Sequence, residues 1–331
     1  MMGQDALNMT VLGKARGRLS ALFVVATVAL AGCGGGSDAP EAGGQTEGSP
    51  PAEQGGEMII VSGASGQLGG LVVEALLSRG VAPSRLILVS RTPNALSRYA
   101  AMGASTRFGD FTQPESLGAA YEGGNRMLLI SIDPDLGAER VNLHKNAIDA
   151  AVAAGVSHVA YTSLVDLDNN DSPLTEVHKP TEQLLRESGL AWTMLRNGLY
   201  MDRLVTQAID MIVNGSVESS DTGIAYVTRA DCAAAAAAVL TTDGHENQVY
   251  DITGPAVVYP QDIARALTEE TEMAVRVVEP SGGGGPAGGP MDSPSFAVVS
   301  TAVQELTGRA PMSVSDLFEV HHDEIMAGTG A

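Results

Sequence analysis

"EMIIVSGASGQLGGLVVEALL", residues 57–77, decides how this chain is read. Met58 to Ser62 is a short, continuous apolar run, the mark of a parallel strand buried on both faces. A helical period follows from Gln67 and stops at Gly80. Between the two stand Gly63, Gly66 and Gly69, spaced G-x-x-G-x-x-G. A backbone without Cβ atoms can reverse tightly and lets a pyrophosphate approach it. A helix beginning near Gly66 points free N–H groups at such an anion. A glycine triplet alone is a weak signal. Placed after the first strand and before the first helix of a βαβ unit, it predicts a dinucleotide site.

The pattern continues outward from that turn. Strands are expected at 58–62, 85–90, 105–110, 126–132, 158–164 and 191–198. Helices are expected between them, at 67–80, 94–103, 114–121, 139–155 and 174–189. Such alternation predicts an α/β protein with a Rossmann-type doubly wound parallel sheet. After residue 200 the alternation loosens into a strand and helix over 224–240, a strand at 248–254, a helix at 259–271 and a strand at 274–280. Helical stretches at 296–307 and 313–326 close the chain, after a low-complexity segment at 281–294. The expected division is a 58–200 Rossmann core and a 201–331 region that is mostly a smaller C-terminal α/β substrate lobe.

The second strand speaks to the nucleotide. It ends "VSRTPN", 89–94, with Arg91 where an NAD binder usually carries an acid for the ribose 2′-hydroxyl. A guanidinium there suits the 2′-phosphate of NADP, so NADPH is the expected cofactor, with NADH possible. The alternative is a solvated loop arginine.

Composition excludes several partners. The 331 residues are 44% hydrophobic and 18% charged, ordinary for a globular chain. A net charge of -20 argues against nucleic acid, whose phosphates need a basic face. Cys33 and Cys232 have no metal-ligand spacing; Cys232, in "RADCAAAAAAVL", reads as a small buried helix residue. His321 and His322 have no further His or Cys beside them in the sequence, so no metal site is expected. His144 and Lys145 share one helix and are expected at the surface, and Tyr161 in the core. Oligomeric state is not legible.

Residues 1–33 have the order of a secretory signal: basic Lys14, Arg16 and Arg18, then a short apolar Leu19 to Leu30. That run is too short to span about 30 Å of hydrocarbon. It ends "LAGC", 30–33, which resembles the bacterial lipoprotein lipobox. The resemblance implies cleavage before Cys33, acylation of Cys33 and lipid anchoring in the cell envelope. Gly34 after that cysteine fits outer-membrane sorting within the same resemblance. Residues 34–57, rich in Gly, Pro and Glu, read as a flexible tether.

With the glycine turn, "AYTSL" (160–164), "LRNGLY" (195–200) and "TRADCAAAAAAVL" (228–240), the chain from about Met58 to about Glu279 resembles the NmrA-like, atypical short-chain dehydrogenases. Within them it is most similar to the NAD(P)H:quinone oxidoreductases. The resemblance implies an NADPH site built from Gly63, Ser65, Gly66, Gln67, Leu68 and Gly69, with Arg91, Asp110, Ser131, Thr162 and Ser163. It also implies that Asn197 to Tyr200 lie beside the nicotinamide. The Tyr-x-x-x-Lys pair of ordinary short-chain dehydrogenases is missing: "VHKPTEQLL" puts His178 and Glu182 at that spacing. Tyrosine-based alcohol chemistry is therefore unavailable. Hydride transfer to a quinone or similar small carbonyl needs little acid help and remains the leading expectation. His178 is the candidate proton donor, with a side chain expected to titrate near neutrality or to sit exposed at a helix start. Tyr200 is the candidate to lie against a planar substrate, or else to pack on the following helix. The competing expectation is a non-catalytic NADP-binding redox sensor of the same family.

Overall fold

The computed structural model describes residues 56–132, 137–170, 172–280 and 293–330. The expected signal, most of the tether and nearly all of the 281–294 segment lie outside the described residues. Seven strands form one parallel sheet: β1 (Ile59–Ser62), β2 (Leu86–Ser90), β3 (Ser105–Phe108), β4 (Arg126–Leu129), β5 (His158–Leu164), β6 (Ala191–Asn197) and β8 (Gln248–Ile252). Their spatial order is β3-β2-β1-β4-β5-β6-β8. β1, β2, β4 and β5 are buried along their whole length, as their unbroken apolar runs require. The outer strands β3 and β8 are the half-exposed ones.

Helices cover both faces. α1 (Gln67–Ser78), α7 (Arg229–Thr241) and α9 (Ala302–Thr307) pack on one face, in a core that includes Val72, Leu76, Leu88 and Val239. The alanines of α7 let it lie close against α1. α3 (Leu117–Tyr121), α4 (Gly137–Ala153) and α5 (Thr175–Glu187) cover the other face, and α2 (Ser97–Ala101) follows β2. Residues 229–252 thus return to the sheet, although they follow residue 200.

The smaller lobe comprises α6 (Arg203–Asn214), α8 (Pro260–Thr271), α10 (Val314–Val320) and α11 (His322–Thr329). Two short parallel strands, β7 (Ser216–Glu218) and β9 (Arg276–Val278), complete it. The strand expected at the start of 224–240 is reduced to single bridges, Ile224 with Val258 and Val227 with Tyr200.

The chain leaves β1 toward β2 on one side and β4 on the other. This reversal opens a crevice at the carboxyl ends of the strands, where ligands bind in open α/β sheets.

Candidate active site

The glycine turn occupies that crevice. Gly63 takes φ +85°, a conformation L side chains rarely adopt. Gly69 serves packing: a Cβ there would lie 2.2 Å from the Gly63 carbonyl oxygen and 2.8 Å from the Ala64 Cα. The turn is fixed to β2 by the Gly63 and Ala64 amides, which donate to the Val89 oxygen at 3.0 and 3.1 Å. Gly66 caps α1, and Gly70 makes the first intrahelical bond, back to the Gly66 oxygen at 2.9 Å. The amides of Gln67, Leu68 and Gly69 precede that bond and form the positive end of the helix dipole.

A cleft of ≈ 720 Å³ opens over this turn. Gly63, Ser65, Gly66, Arg91 and Asp110 line it, with Ser90 and Thr92 beside Arg91. The Ser65 and Ser90 hydroxyls are 2.6 Å apart, and the Thr92 amide donates to Ser90 Oγ at 2.9 Å. Arg91 is exposed and no carboxylate stands within residues 89–94. A guanidinium flanked by hydroxyls fits a phosphate, and no carboxylate within 89–94 is there to accept from a bare ribose diol. Asp110 caps its own turn, accepting from the Thr112 amide at 3.0 Å and hydroxyl at 2.9 Å.

A second cleft, of ≈ 570 Å³, shares Ile130 and Ile132 with the first. Leu68, Ser131, Thr162, Ser163, Asn197 and Tyr200 border it. Thr162 ties β5 to the end of β4, accepting from the Ser131 amide at 2.8 Å. The Ser163 hydroxyl donates to Glu182 at 2.6 Å, so its proton is already engaged. Glu182 is buried, takes a two-point contact from Arg196 at 2.9 Å on each oxygen, and also binds Arg186. Asn197 donates to the Tyr200 hydroxyl at 3.3 Å. Arg229 lies over the Tyr200 ring, 4.5 Å from its centroid, so one face of that ring is already covered. Burial pushes the Tyr200 phenol above its ordinary range.

Two histidine expectations are corrected. His178 reaches the second cleft, but it is neither exposed nor titrating near neutrality. Burial holds its pKa well below the usual value, and the Arg140 charge pushes in the same direction. Arg140 Nη2 lies 3.3 Å from His178 Nε2 and can only donate, so Nε2 accepts. The ring proton then sits on Nδ1 and points at the Tyr161 hydroxyl, 3.0 Å away. His144 is not at the surface; it is fully buried, and burial holds it down at about 3. Its Nε2 accepts from the Ile132 amide at 3.2 Å, leaving Nδ1 to donate to Thr181 at 3.0 Å. His144 thereby positions a wall shared by both clefts. Tyr161 is core, as expected.

Sequence reading missed Arg140, a buried cation on the second cleft, and the Ser90 and Thr92 hydroxyls beside Arg91. The latter two flank Arg91 directly and were available as a signal. Arg140 was not, because nothing in its own helix separates an inward arginine from an outward one. Among the described residues no cluster of His, Cys, Asp and Glu could hold a metal ion. Cys232 is buried in α7, and burial raises its thiol well above the usual value.

Residues 63–243 match the sequence signature described as NAD(P)H-binding. Over 220 residues the chain is 38% identical to quinone oxidoreductase 2 of Escherichia coli K12, spanning 66% of this chain and 76% of that one. It is 30% identical over 224 residues to the NAD(P)H azoreductase of Xenophilus azovorans, spanning 67% and 76%. Among solved structures, the Citrobacter sp. triphenylmethane reductase complexed with NADP(H) aligns with a TM-score of 0.72 at 31% identity, covering 78% of this chain and 98% of that one. The NADPH complex of the Escherichia coli quinone oxidoreductase aligns with 0.71 at 31%, covering 82% and 99%. With the glycine crevice, the arginine pocket and these likenesses together, the chain belongs to the NAD(P)H-binding, NmrA-like family and is an oxidoreductase that uses NADPH.

Proposed function

We propose that this oxidoreductase reduces a quinone or a similar small carbonyl acceptor. The observation that carries the reading is a second cleft, continuous with the cofactor cleft through Ile130 and Ile132, in which, among the described residues, neither the histidine nor the tyrosine is poised to give up a proton. The His178 imidazole is neutral and its one ring proton faces Tyr161. The Tyr161 and Tyr200 phenols are pushed above their ordinary range by burial. An alcohol or ketone couple needs a positioned acid. A quinone is a strong electron acceptor whose reduced oxygens can take protons from water.

The residues divide the work. The Gln67 and Leu68 amides at the start of α1 would hold the pyrophosphate, and Arg91 with Thr92 the 2′-phosphate. NADPH, when bound, supplies the hydride. Ile130 and Ile132 give the passage between the clefts an apolar wall. Arg140 presents a fixed positive charge to the second cleft, where charge gathers on a reduced oxygen. Asn197 and Arg229 hold the Tyr200 ring in place as a flat wall for a planar acceptor.

The test is NADPH oxidation by the full chain with simple benzoquinones and naphthoquinones, against ketones and azo dyes. Turnover with quinones and none with ketones is expected. Turnover confined to azo dyes would replace the acceptor class. NADPH binding with turnover of none of these acceptors would favour the redox-sensor reading.

We also propose that the protein is exported and anchored in the bacterial envelope through acylated Cys33. Support comes from the order of basic, apolar and small residues before Cys33 and from the tether that follows. Among the described residues no helix is long and apolar enough to cross a membrane. Labelled palmitate should enter the wild-type chain and not Cys33→Ser; equal labelling would remove the proposal.

A further inference from the structure

A third cavity, of ≈ 440 Å³, continues from the second into the smaller lobe. The two share Leu204, Gln207 and Tyr226 as walls. α6 runs along both. Its Leu204, Gln207, Met211 and Asn214 recur at spacings of three and four, so they form one stripe along the helix. Ten residues of α helix rise about 15 Å, which sets the length of groove that the stripe can floor. Val217 of β7, Ile224 and Val258 supply the facing apolar wall, and Met211, Val217 and Val258 are half-buried against the core of the lobe. Within the stripe Leu204 and Met211 are the apolar members and Gln207 and Asn214 the polar ones, and polar Asp210, Glu218 and Ser220 border the trough.

A headgroup of quinone size is housed by the second cavity alone. The third adds a long, apolar-sided trough that leads directly away from it. Resting on the acceptor class proposed above, we infer that this trough is a tail subsite, and that the preferred acceptor is a quinone bearing a prenyl or alkyl chain. The headgroup sits beside Tyr200 and the chain runs past Leu204 and Tyr226 along the α6 stripe. Asp210 and Glu218 place negative charge beside the trough, so an anionic substituent at the end of the chain is disfavoured.

The test compares a benzoquinone carrying a decyl chain with the same headgroup carrying a methyl group. Both are assayed with the full chain, by NADPH oxidation and by calorimetric binding without NADPH. The decyl compound should win in kcat/KM and in affinity by at least about tenfold, the effect of even one well-placed methylene in an apolar pocket. Val258→Trp, which fills the trough away from Tyr200, should abolish that advantage and leave the methyl compound unchanged. Met211→Asn should reduce it by making the wall polar. Equal handling of the two quinones by the wild-type chain, or equal losses for both in Val258→Trp, would overturn the tail subsite. If neither quinone is turned over, the acceptor class fails. The trough is then judged by binding, and no gain in affinity from the decyl chain would overturn it as well.

Discussion

Two adjacent glycines at the start of α1 should respond to the same substitution with opposite signs. A Cβ on Gly69 meets backbone on the facing turn, with the Gly63 oxygen at 2.2 Å and the Ala64 Cα at 2.8 Å. A Cβ on Gly70 meets nothing within 4 Å. Both positions are helical, so alanine gains about 1 kcal/mol of helix propensity at either one. At Gly70 that gain stands alone, and Gly70→Ala should stabilise the protein by about 0.5–1 kcal/mol. At Gly69 normal contact needs about 3.5 Å, so α1 must retreat by more than an ångström from the turn. Overpacking of this kind costs about 1–3 kcal/mol, more where the obstacle is backbone. Gly69→Ala should therefore lose about 2 kcal/mol net, and the two variants should differ by about 3 kcal/mol. The retreat also misdirects the Gln67 and Leu68 amides, so NADPH affinity should fall at least about tenfold in Gly69→Ala only. Urea unfolding followed by circular dichroism, with NADPH titration of each variant, measures both effects. A Gly69→Ala protein that unfolds at the Gly70→Ala midpoint and binds NADPH normally would refute the close-packing argument.

Arg91→Ala should weaken NADPH by about ten- to a hundredfold, the loss of a charge-assisted contact, and NADH by no more than about twofold; equal losses would remove the 2′-phosphate assignment. Glu182→Gln should cost about 2 kcal/mol, because it removes the buried negative charge that Arg196 and Ser163 bond, while Arg196 keeps its two-point contact to Asp168; a change in urea midpoint too small to resolve would contradict that. The neutral His144 and His178 have folded pKa values below the ordinary value of about 6.5, so their stabilisation is complete above about pH 6.5 and is lost as pH falls below it, for His144 down to about 3. Each should contribute a slope of about 1.4 kcal/mol per pH unit in that window, and His144→Gln should flatten the measured dependence; an unchanged slope would count against a neutral His144. Tyr200→Phe should keep kcat within about twofold, because the phenol is held by Asn197 and is no acid at neutral pH, while Tyr200→Ala should raise KM for the acceptor; a large loss of kcat in Tyr200→Phe would make the hydroxyl a proton source.

The sheet was legible because its signals are local. Unbroken apolar runs such as Ile59 to Ser62 and Leu86 to Ser90, short and bounded by turn residues, read as strands buried on both faces, and the glycine turn fixes where the first two elements meet. The cofactor crevice followed from the same turn. α6 was not assigned, although Leu204, Val205, Ala208 and Ile212 carry a helical stripe and Gly215 closes the helix at φ +64°. β9 falls within the strand expected at 274–280, but its three-residue partner β7 is too short for any period to show, and their pairing is set by the lobe that surrounds them. The second cleft was half legible. Asn197 and Tyr200 stand at the end of a readable strand. His144 and Arg140 were hidden because α4 has little apolar excess on either side, and only tertiary packing decides which polar groups turn inward.

The absent Tyr-x-x-x-Lys pair is better understood as a reassignment of two positions than as a gap. His178 and Glu182 lie one helical turn apart on α5, and both turn into the protein. Glu182 clamps Arg196 of β6 and receives the Ser163 hydroxyl of β5, so it ties together the two strands that end at the second cleft. His178 joins Arg140 of α4 to Tyr161 of β5. Each contact consumes a donor or acceptor that a proton-transfer site would need free. A lysine at either place would set an unpaired cation beside Arg140 or Arg196, at a cost of several kcal/mol. The rigidity of this wall and its lack of acid chemistry therefore have one physical origin. On the acceptor class proposed above, protons come from water, and the shape of the cleft rather than its acidity selects the substrate.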